Sequence, residues 1–339
     1  MPSNRFPMGD SLHDYVTGQP LKELKQALTS GIKHPSCEWC WLNEEKNIKS
    51  HRIAQPRGPE LYSIHIRLSN VCNFKCRMCN PSFSSTWAQE NKKHNWFADL
   101  DNVITKDAIE ANGDTLFKLL KKGIKRKTLK HISISGGEPL ITDSHLKLLN
   151  FLLDNNLTEV NLSYSTNLSN LDYKGVDLLP LWSKFSNVSL EASVDGWGKH
   201  VEYSRTGFDC SSFLANFKRA FKYIDAINCV VNIYSVWTLP FIEKFRKHGV
   251  NIIYSPCYRP PYTSPQILLE EDKQKLFELY SDYPELVKVY KNFIDTDQDT
   301  EYNTEDSRSE MIRYNLLLDS YRNTSFFDTF PMYEKYKEL

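Results

Sequence analysis

The sequence predicts an α/β protein built on a parallel sheet, and three observations carry that prediction. Apolar and polar residues alternate over residues 61–68 and 131–134, and residues 160–164, 188–194, 227–235 and 250–254 read as further strands. Helical patterns lie between them, at residues 107–120, 144–153, 175–185, 211–224 and 240–248. Strands separated by helices need crossover connections, which makes neighbouring strands parallel. Six such units, strongly curled, give an open partial (β/α)6 barrel; a flat doubly wound sheet satisfies the same periodicity.

Composition bounds the rest. At about 150 residues per domain, 339 residues suggest two domains or one large one. Lys and Arg number 42, as do Asp and Glu. A zero balance argues against a generic nucleic-acid coat protein, which needs excess cation to displace counterions. With 40% hydrophobic and 25% charged residues the chain reads as folded. No apolar run approaches the ~20 residues of a membrane span, and the best candidate is only residues 148–153. Residues 1–10 are polar, without a signal-peptide core. The expectation is a soluble cytoplasmic protein with no membrane partner.

Three regions follow along the chain. Residues 1–58 form an N-terminal extension with a short helix at 21–28, Gly31, and the pair Cys37 and Cys40, ending in a Pro- and Gly-rich linker at 55–59. Residues 59–257 hold the alternating strands and helices. Residues 258–339 form a C-terminal helical extension: a Pro-rich link at 259–265, then helices near 270–293, 306–320 and 326 to the end. The acidic stretch 295–306 lacks calcium-loop spacing and reads as a solvated connection. Seven basic residues between Lys118 and Lys130 precede a strand, which puts them at the N-terminal rim of the sheet as a solvated face.

Five of the eight cysteines fall between positions 37 and 79, a clustering that points to metal or redox chemistry in a reducing compartment. Cys72, Cys76 and Cys79 follow the first strand directly, spaced Cys-x3-Cys-x2-Cys. Three thiolates on one short loop hold three corners of a cubane iron–sulfur cluster and leave the fourth iron open to a ligand. A structural zinc site wants four closed ligands, and this loop offers three. The C-terminal end of a strand is where α/β folds place chemistry.

This loop resembles the signature of the radical S-adenosylmethionine (radical SAM) family. Ser135-Gly136-Gly137-Glu138-Pro139, closing the second strand, is similar to the family's Gly-Gly-Glu-Pro element, which in relatives bonds the methionine amino group. Thr166 and Asn167 close the third strand and Ser193 and Asp195 the fourth, with Arg205 just beyond. The resemblance covers roughly residues 60–257 and implies a partial barrel. It also implies a [4Fe-4S] cluster on Cys72, Cys76 and Cys79, and S-adenosylmethionine seated by Gly136, Gly137, Glu138, Thr166, Asn167, Ser193, Asp195 and Arg205. Met78 stands where relatives usually place an aromatic residue against adenine; its thioether also packs on rings. The implied activity is reductive cleavage of S-adenosylmethionine to a 5′-deoxyadenosyl radical that takes hydrogen from a substrate, fed by an electron donor such as flavodoxin or ferredoxin.

Residues 31–52 and the tail near Leu318, Asp319, Arg322 and 326–331 are similar to twitch or SPASM-type extensions, which often hold an auxiliary cluster. Cys37, Cys40 and Cys257 are the candidate ligands here, for iron–sulfur or for zinc completed by His34 or His51. Cys210 and Cys229 read as buried small hydrophobes. Tyr164, Tyr234 and Tyr258 lie near strand ends, facing substrate or packing the core. A peptide or protein side chain is the favoured substrate by analogy, against a carbohydrate or nucleotide. A non-catalytic iron–sulfur or zinc protein that binds a partner is the reading from a different class.

Overall fold

The alternating segments form the strands that their patterns anticipate. The computed structural model describes residues 17–45, 50, 53, 62–94, 108–296 and 304–338. His51, the 55–59 linker, the 58/59 boundary and most of the acidic connection lie outside the described residues.

Near the N-terminus lie α1 (Gln19–Thr29) and α2 (Glu38–Glu45), with Cys37 just before α2 and Cys40 within it. The strands are β1 (Ser63–Arg67), β2 (Lys75–Cys76), β3 (His131–Ser135), β4 (Asn161–Thr166), β5 (Asp172–Tyr173), β6 (Val176–Asp177), β7 (Asn187–Ser193), β8 (Arg205–Thr206), β9 (Ile224–Val231) and β10 (Asn251–Pro256). Six of them form one sheet in the order β1-β3-β4-β7-β9-β10, and each neighbouring pair is parallel. Between them run α3 (Ser85–His94), α4 (Ala108–Lys125), α5 (Asp143–Asp154), α6 (Leu178–Trp182), α7 (Lys199–Ser204), α8 (Cys210–Arg219) and α9 (Leu239–Glu243). The C-terminal part holds α10 (Glu270–Tyr280), α11 (Pro284–Val289), α12 (Thr304–Arg322) and α13 (Phe326–Thr329). The seven basic residues run from within α4 to the start of β3, at the N-terminal side of the sheet.

The sheet has two unlike faces. On one, Ile132, Ile134, Leu162, Tyr164, Val188, Leu190 and Ala192 are buried. The other carries His131, Ser133 and Ser135 on β3, Ser163 and Ser165 on β4, and Ser189, Glu191 and Ser193 on β7. Ser133 and Ser163, side by side in register, share a 2.9 Å hydrogen bond. A parallel sheet covered by helices on both sides reads as nearly continuous apolar strands. Here every second residue is polar, most of them serine, so one face remains hydrated or meets a polar ligand. Ser135, Ser165 and Ser193 are the last residues of that polar face on three adjacent strands.

Three expectations shift. The helix anticipated over 175–185 shrinks to α6, because Gly175, at φ +80°, turns the β5–β6 hairpin and the Asp177 carboxylate caps α6 by accepting from the Leu179 N–H. The helix anticipated to Ile224 stops at Arg219, and Ile224 starts β9. β9 in turn ends at Val231, where Asn232 Oδ1 accepts from the N–H groups of Tyr234 and Ser235 and turns the chain.

A single hydrophobic core joins the sheet to the C-terminal helices. Leu276, Tyr280, Leu286, Met311, Phe326 and Phe330 belong to the same buried cluster as Leu162, Leu190 and Ile227. Hydroxyl groups stitch the seam: Tyr280 donates to Val236 O and Tyr333 to Ile233 O.

Candidate functional site

The cysteine loop leaves β1 and is tied to β3 by an extension of the ladder between those strands. Leu68 N donates to Ser135 O, Gly137 N to Ser69 O at 2.8 Å, and Glu138 N to Val71 O at 2.7 Å. The two glycines make this approach possible. A Cβ on Gly136, at φ +154°, would stand 2.7 Å from Ser69 O, and one on Gly137 would stand 2.3 Å from Val71 O. Their bareness therefore serves the contact between two loops, besides placing both residues on the cavity wall.

That cavity, of about 670 Å³, opens at the C-terminal ends of the strands. Cys72, Cys76 and Cys79 line it together, with Met78 beside them. The opposite side comes from Gly136, Gly137, Ser165, Thr166, Asn167, Ser193 and Arg205. Cys72 is buried and the other two are half-buried. Burial pushes the Cys72 thiol up to about 11 and raises Cys76 and Cys79 as well, while the Arg205 cation pulls all three down. The Phe74 N–H donates to Cys72 Sγ at 3.4 Å.

Arg205 owes its place to β2 and β8, an antiparallel pair that sets it opposite Cys76. Asp195 holds its guanidinium from behind: Arg205 Nε donates to Oδ2 at 2.6 Å and Nη2 to Oδ1 at 2.8 Å. Oδ1 also accepts from Val230 N on β9. Asp195 is 1% exposed and does not line the cavity. Its carboxylate orients Arg205.

Glu138 is likewise turned inward. Its Oε1 accepts from Thr166 Oγ1 at 2.7 Å and from Leu140 N at 3.0 Å, and its Oε2 accepts from Asn167 N at 2.6 Å. Burial outweighs these three donors and raises its carboxyl to about 7. It is 1% exposed and does not line the cavity; it clamps the end of β3 to the end of β4. Asn167 continues the chain of contacts, donating from Nδ2 to Asn73 Oδ1 in the cysteine loop at 3.1 Å. Ser193 is different: its hydroxyl has no hydrogen bond to the described residues, and it lines the cavity.

Two of the three tyrosines proposed for the substrate side prove to be core. Tyr164 bonds His145 Nε2 at 3.1 Å and packs on Trp182, and Tyr234 donates to Asn315 Oδ1 at 3.0 Å. Tyr258 does not line the cavity. Its neighbours Arg259, Pro260 and Tyr262 do, with Tyr314 of α12 and Phe83. Tyr262 and Tyr314 lie with ring centroids 4.7 Å apart. The sequence signal for this wall is slight: a Pro-rich turn after the last strand, with one tyrosine contributed from 52 positions further on.

Cys257 follows β10 directly and is buried, its thiol donating toward Arg259 O and bonding Thr263 Oγ1. Cys37 and Cys40 are half-buried on the α2 side of the chain. Among the described residues no three His, Cys, Asp or Glu side chains converge closely enough to hold a single metal ion. Cys229 is buried as expected, whereas Cys210 opens α8 and is only half-buried. No helix among the described residues is long and apolar enough to cross a membrane.

No protein-family model matches the chain, and no curated protein matches it. Similar solved structures include Streptococcus suis SuiB bound to S-adenosylmethionine, at 14% identity over 79% of this chain and 58% of that one, TM-score 0.45. SuiB bound to the precursor peptide SuiA gives 14% identity over 81% and 59%, TM-score 0.45. TYW1 with a lysine-pyruvate adduct bound gives 13% identity over 78% and 90%, TM-score 0.39. The chain spans under two thirds of the length of the SuiB structures it resembles.

Proposed function

We propose that the protein is a radical SAM enzyme, with a partial-barrel core that carries a [4Fe-4S] cluster on Cys72, Cys76 and Cys79 and binds S-adenosylmethionine in the same cavity. The observation that carries this reading is the meeting of three cysteines from one loop with the polar ends of β3, β4 and β7 around a single cavity. The donor set fits the cluster. Three soft thiols without a fourth protein ligand suit an iron–sulfur core with one open iron, whereas structural zinc wants four. When bound, the cluster supplies the single electron that cleaves S-adenosylmethionine and so yields a radical able to take hydrogen from substrate.

The chain's own residues bind and orient. Arg205, on the cavity wall beside the strand ends, suits the carboxylate of S-adenosylmethionine, and the hydroxyls of Ser193 and Thr166 with the Asn167 amide suit its polar atoms. Met78 offers a thioether to the adenine ring. Glu138 and Asp195 keep these groups in place from behind the wall. Phe83, Arg259, Tyr262 and Tyr314 form the side left for substrate, for which a peptide or protein side chain is our reading, with ferredoxin or flavodoxin as the source of electrons. Cys37, Cys40 and Cys257 remain the candidates for an auxiliary iron–sulfur or zinc site.

Anaerobic reconstitution tests the proposal. The wild-type chain should take up iron and sulfide and, once reduced, release 5′-deoxyadenosine from S-adenosylmethionine. Cys76→Ser should lose the cluster of this loop and the cleavage with it. Wild-type iron and sulfide content in that variant would contradict the assignment, and zinc without cleavage would favour a non-catalytic binding protein.

A further inference from the structure

The middle of the loop that carries the three cysteines is held by side chains from outside it. Four consecutive carbonyls accept hydrogen bonds: Phe74 O from Ser84 and Thr86 hydroxyls, Lys75 O from Arg322 Nη1, Cys76 O from Trp87 Nε1, and Arg77 O from the Tyr314 hydroxyl at 2.7 Å. Two of these donors, Tyr314 and Arg322, stand on α12, more than 230 residues along the chain.

Arg77 answers in the other direction. Its side chain is fully buried and reaches from between Cys76 and Cys79 into the C-terminal helices. Nη2 donates to Asp319 Oδ1 at 2.6 Å and to Thr324 Oγ1 at 2.9 Å, and Nη1 donates to Asn315 Oδ1 at 3.1 Å. Nε donates to Tyr203 O, and the guanidinium lies 3.7 Å over the Tyr203 ring, whose hydroxyl also donates to Asp319. Arg322 closes a second bracket by pairing with Glu90 of α3 at 2.6 Å. A buried cation so fully engaged has one arrangement available to it, and the loop backbone moves only if that network opens.

We propose that Arg77 is a positioning residue and that α12 is a clasp: the cysteine loop keeps its cluster-binding shape only while Arg77 is seated on Asp319 and Asn315. This rests on the reading that the loop holds a cluster, but the clasp has a signature of its own. In the full-length chain stripped of iron, thiol labelling of each cysteine by a maleimide, followed by mass spectrometry, separates local from global opening. Cys229, buried in β9, reports global opening.

Asp319→Asn should label Cys76 and Cys79 at least tenfold faster than wild type while Cys229 labels at the wild-type rate. The reconstituted variant should lose iron to a chelator faster by a comparable factor. Tyr314→Phe, which keeps the ring and removes only the bond to Arg77 O, should move the same cysteines in the same direction by about threefold, and it decides the matter if Asp319→Asn does not fold. Ser309→Ala, on the exposed side of α12, should change neither rate. Loop cysteines that label at the wild-type rate, or only in step with Cys229, overturn the clasp. A wild-type chain that takes up no iron overturns the cluster reading, while the labelling still decides whether α12 holds the loop.

Discussion

Replacing Gly137 with alanine tests the loop-to-strand contact on which the cavity depends. The added Cβ would stand 2.3 Å from Val71 O, 2.7 Å from Asn70 O and 2.7 Å from the Val71 carbonyl carbon. Ordinary contact begins at 3.4 Å, so the two backbones must part by about 1 Å. The atoms in the way are main chain on both sides, with no rotamer to turn. Overpacking of this kind costs ~1–3 kcal/mol. Parting also stretches the bonds from Gly137 N to Ser69 O and from Glu138 N to Val71 O, each worth about 1 kcal/mol. The expected loss is therefore about 3–5 kcal/mol, a large share of the ~5–15 kcal/mol by which folded proteins exceed their unfolded states.

Urea titration followed by circular dichroism measures it, with Ser165→Ala as the comparison. Ser165 lines the same cavity and is exposed, so its truncation should stay within ~0.5 kcal/mol of wild type. The strain enters just ahead of Cys72, so the folded fraction of Gly137→Ala should also take up less iron than Ser165→Ala. A Gly137→Ala midpoint equal to wild type would refute the claim that this close approach holds the loop.

Three further outcomes follow from the carboxylates behind the cavity. Asp195→Ala should cost about 3–5 kcal/mol in the same titration, because it leaves Arg205 buried without its counter-charge; a loss under ~1 kcal/mol would mean that Arg205 finds another partner. Ser193→Ala should leave stability within ~0.5 kcal/mol while weakening S-adenosylmethionine binding in calorimetry, since its hydroxyl is not committed to the fold; unchanged affinity would remove Ser193 from the site. Glu138 predicts a pH dependence. Its carboxyl is raised to about 7 in the folded chain against an ordinary value of 4.5, so between these values the folded state binds more protons than the unfolded one. Its contribution is fully present below about pH 4.5 and is lost as pH rises through 7, at ~1.4 kcal/mol per pH unit, or roughly 3 kcal/mol in all. Glu138→Gln should remove that slope and leave only a constant offset. Parallel stability curves for the two proteins between pH 5 and 7 would show that the carboxylate is not raised.

The parts of the molecule written in local pattern were legible. All six sheet strands overlap the segments read as strands, β1 and β3 from their alternation, because period-2 burial is a property of each segment alone. The cysteine loop was legible for the same reason: its spacing is short and its position after a strand fixes its place in an α/β fold. What sequence could not separate was a polar residue that faces a ligand from one that holds its neighbour. Glu138 and Asp195 sit in the motif beside residues that line the cavity, yet both turn inward, and only the N–H groups of Asn167 and Val230 reveal why. Tyr164 and Tyr234 were open to either reading, and their buried partners His145 and Asn315 settle it. The contacts of Arg77 with Asp319 and of its carbonyl with Tyr314 were out of reach, since no periodicity links residue 77 to residues 314–319.

Charge shows how these two kinds of residue divide the work. The ionised side chains on the cavity wall are Arg205 and Arg259, and no Asp or Glu lines it. The acids are nearby but placed behind, where Asp195 fixes Arg205 and Glu138 fixes Thr166 and Asn167. An acid on the wall would repel both thiolates and a bound carboxylate, whereas an acid behind it orients the donors that attract them. The three thiols meanwhile resist ionisation because they are buried, with Arg205 as the cation drawing all three down. One guanidinium does not offset the desolvation of three sulfurs. On the cluster assignment proposed above, a cationic inorganic core would supply the charge that makes these thiolates stable, while the close approach of Gly137 to Val71 O on one side and the bonds of Arg77 on the other hold the loop backbone.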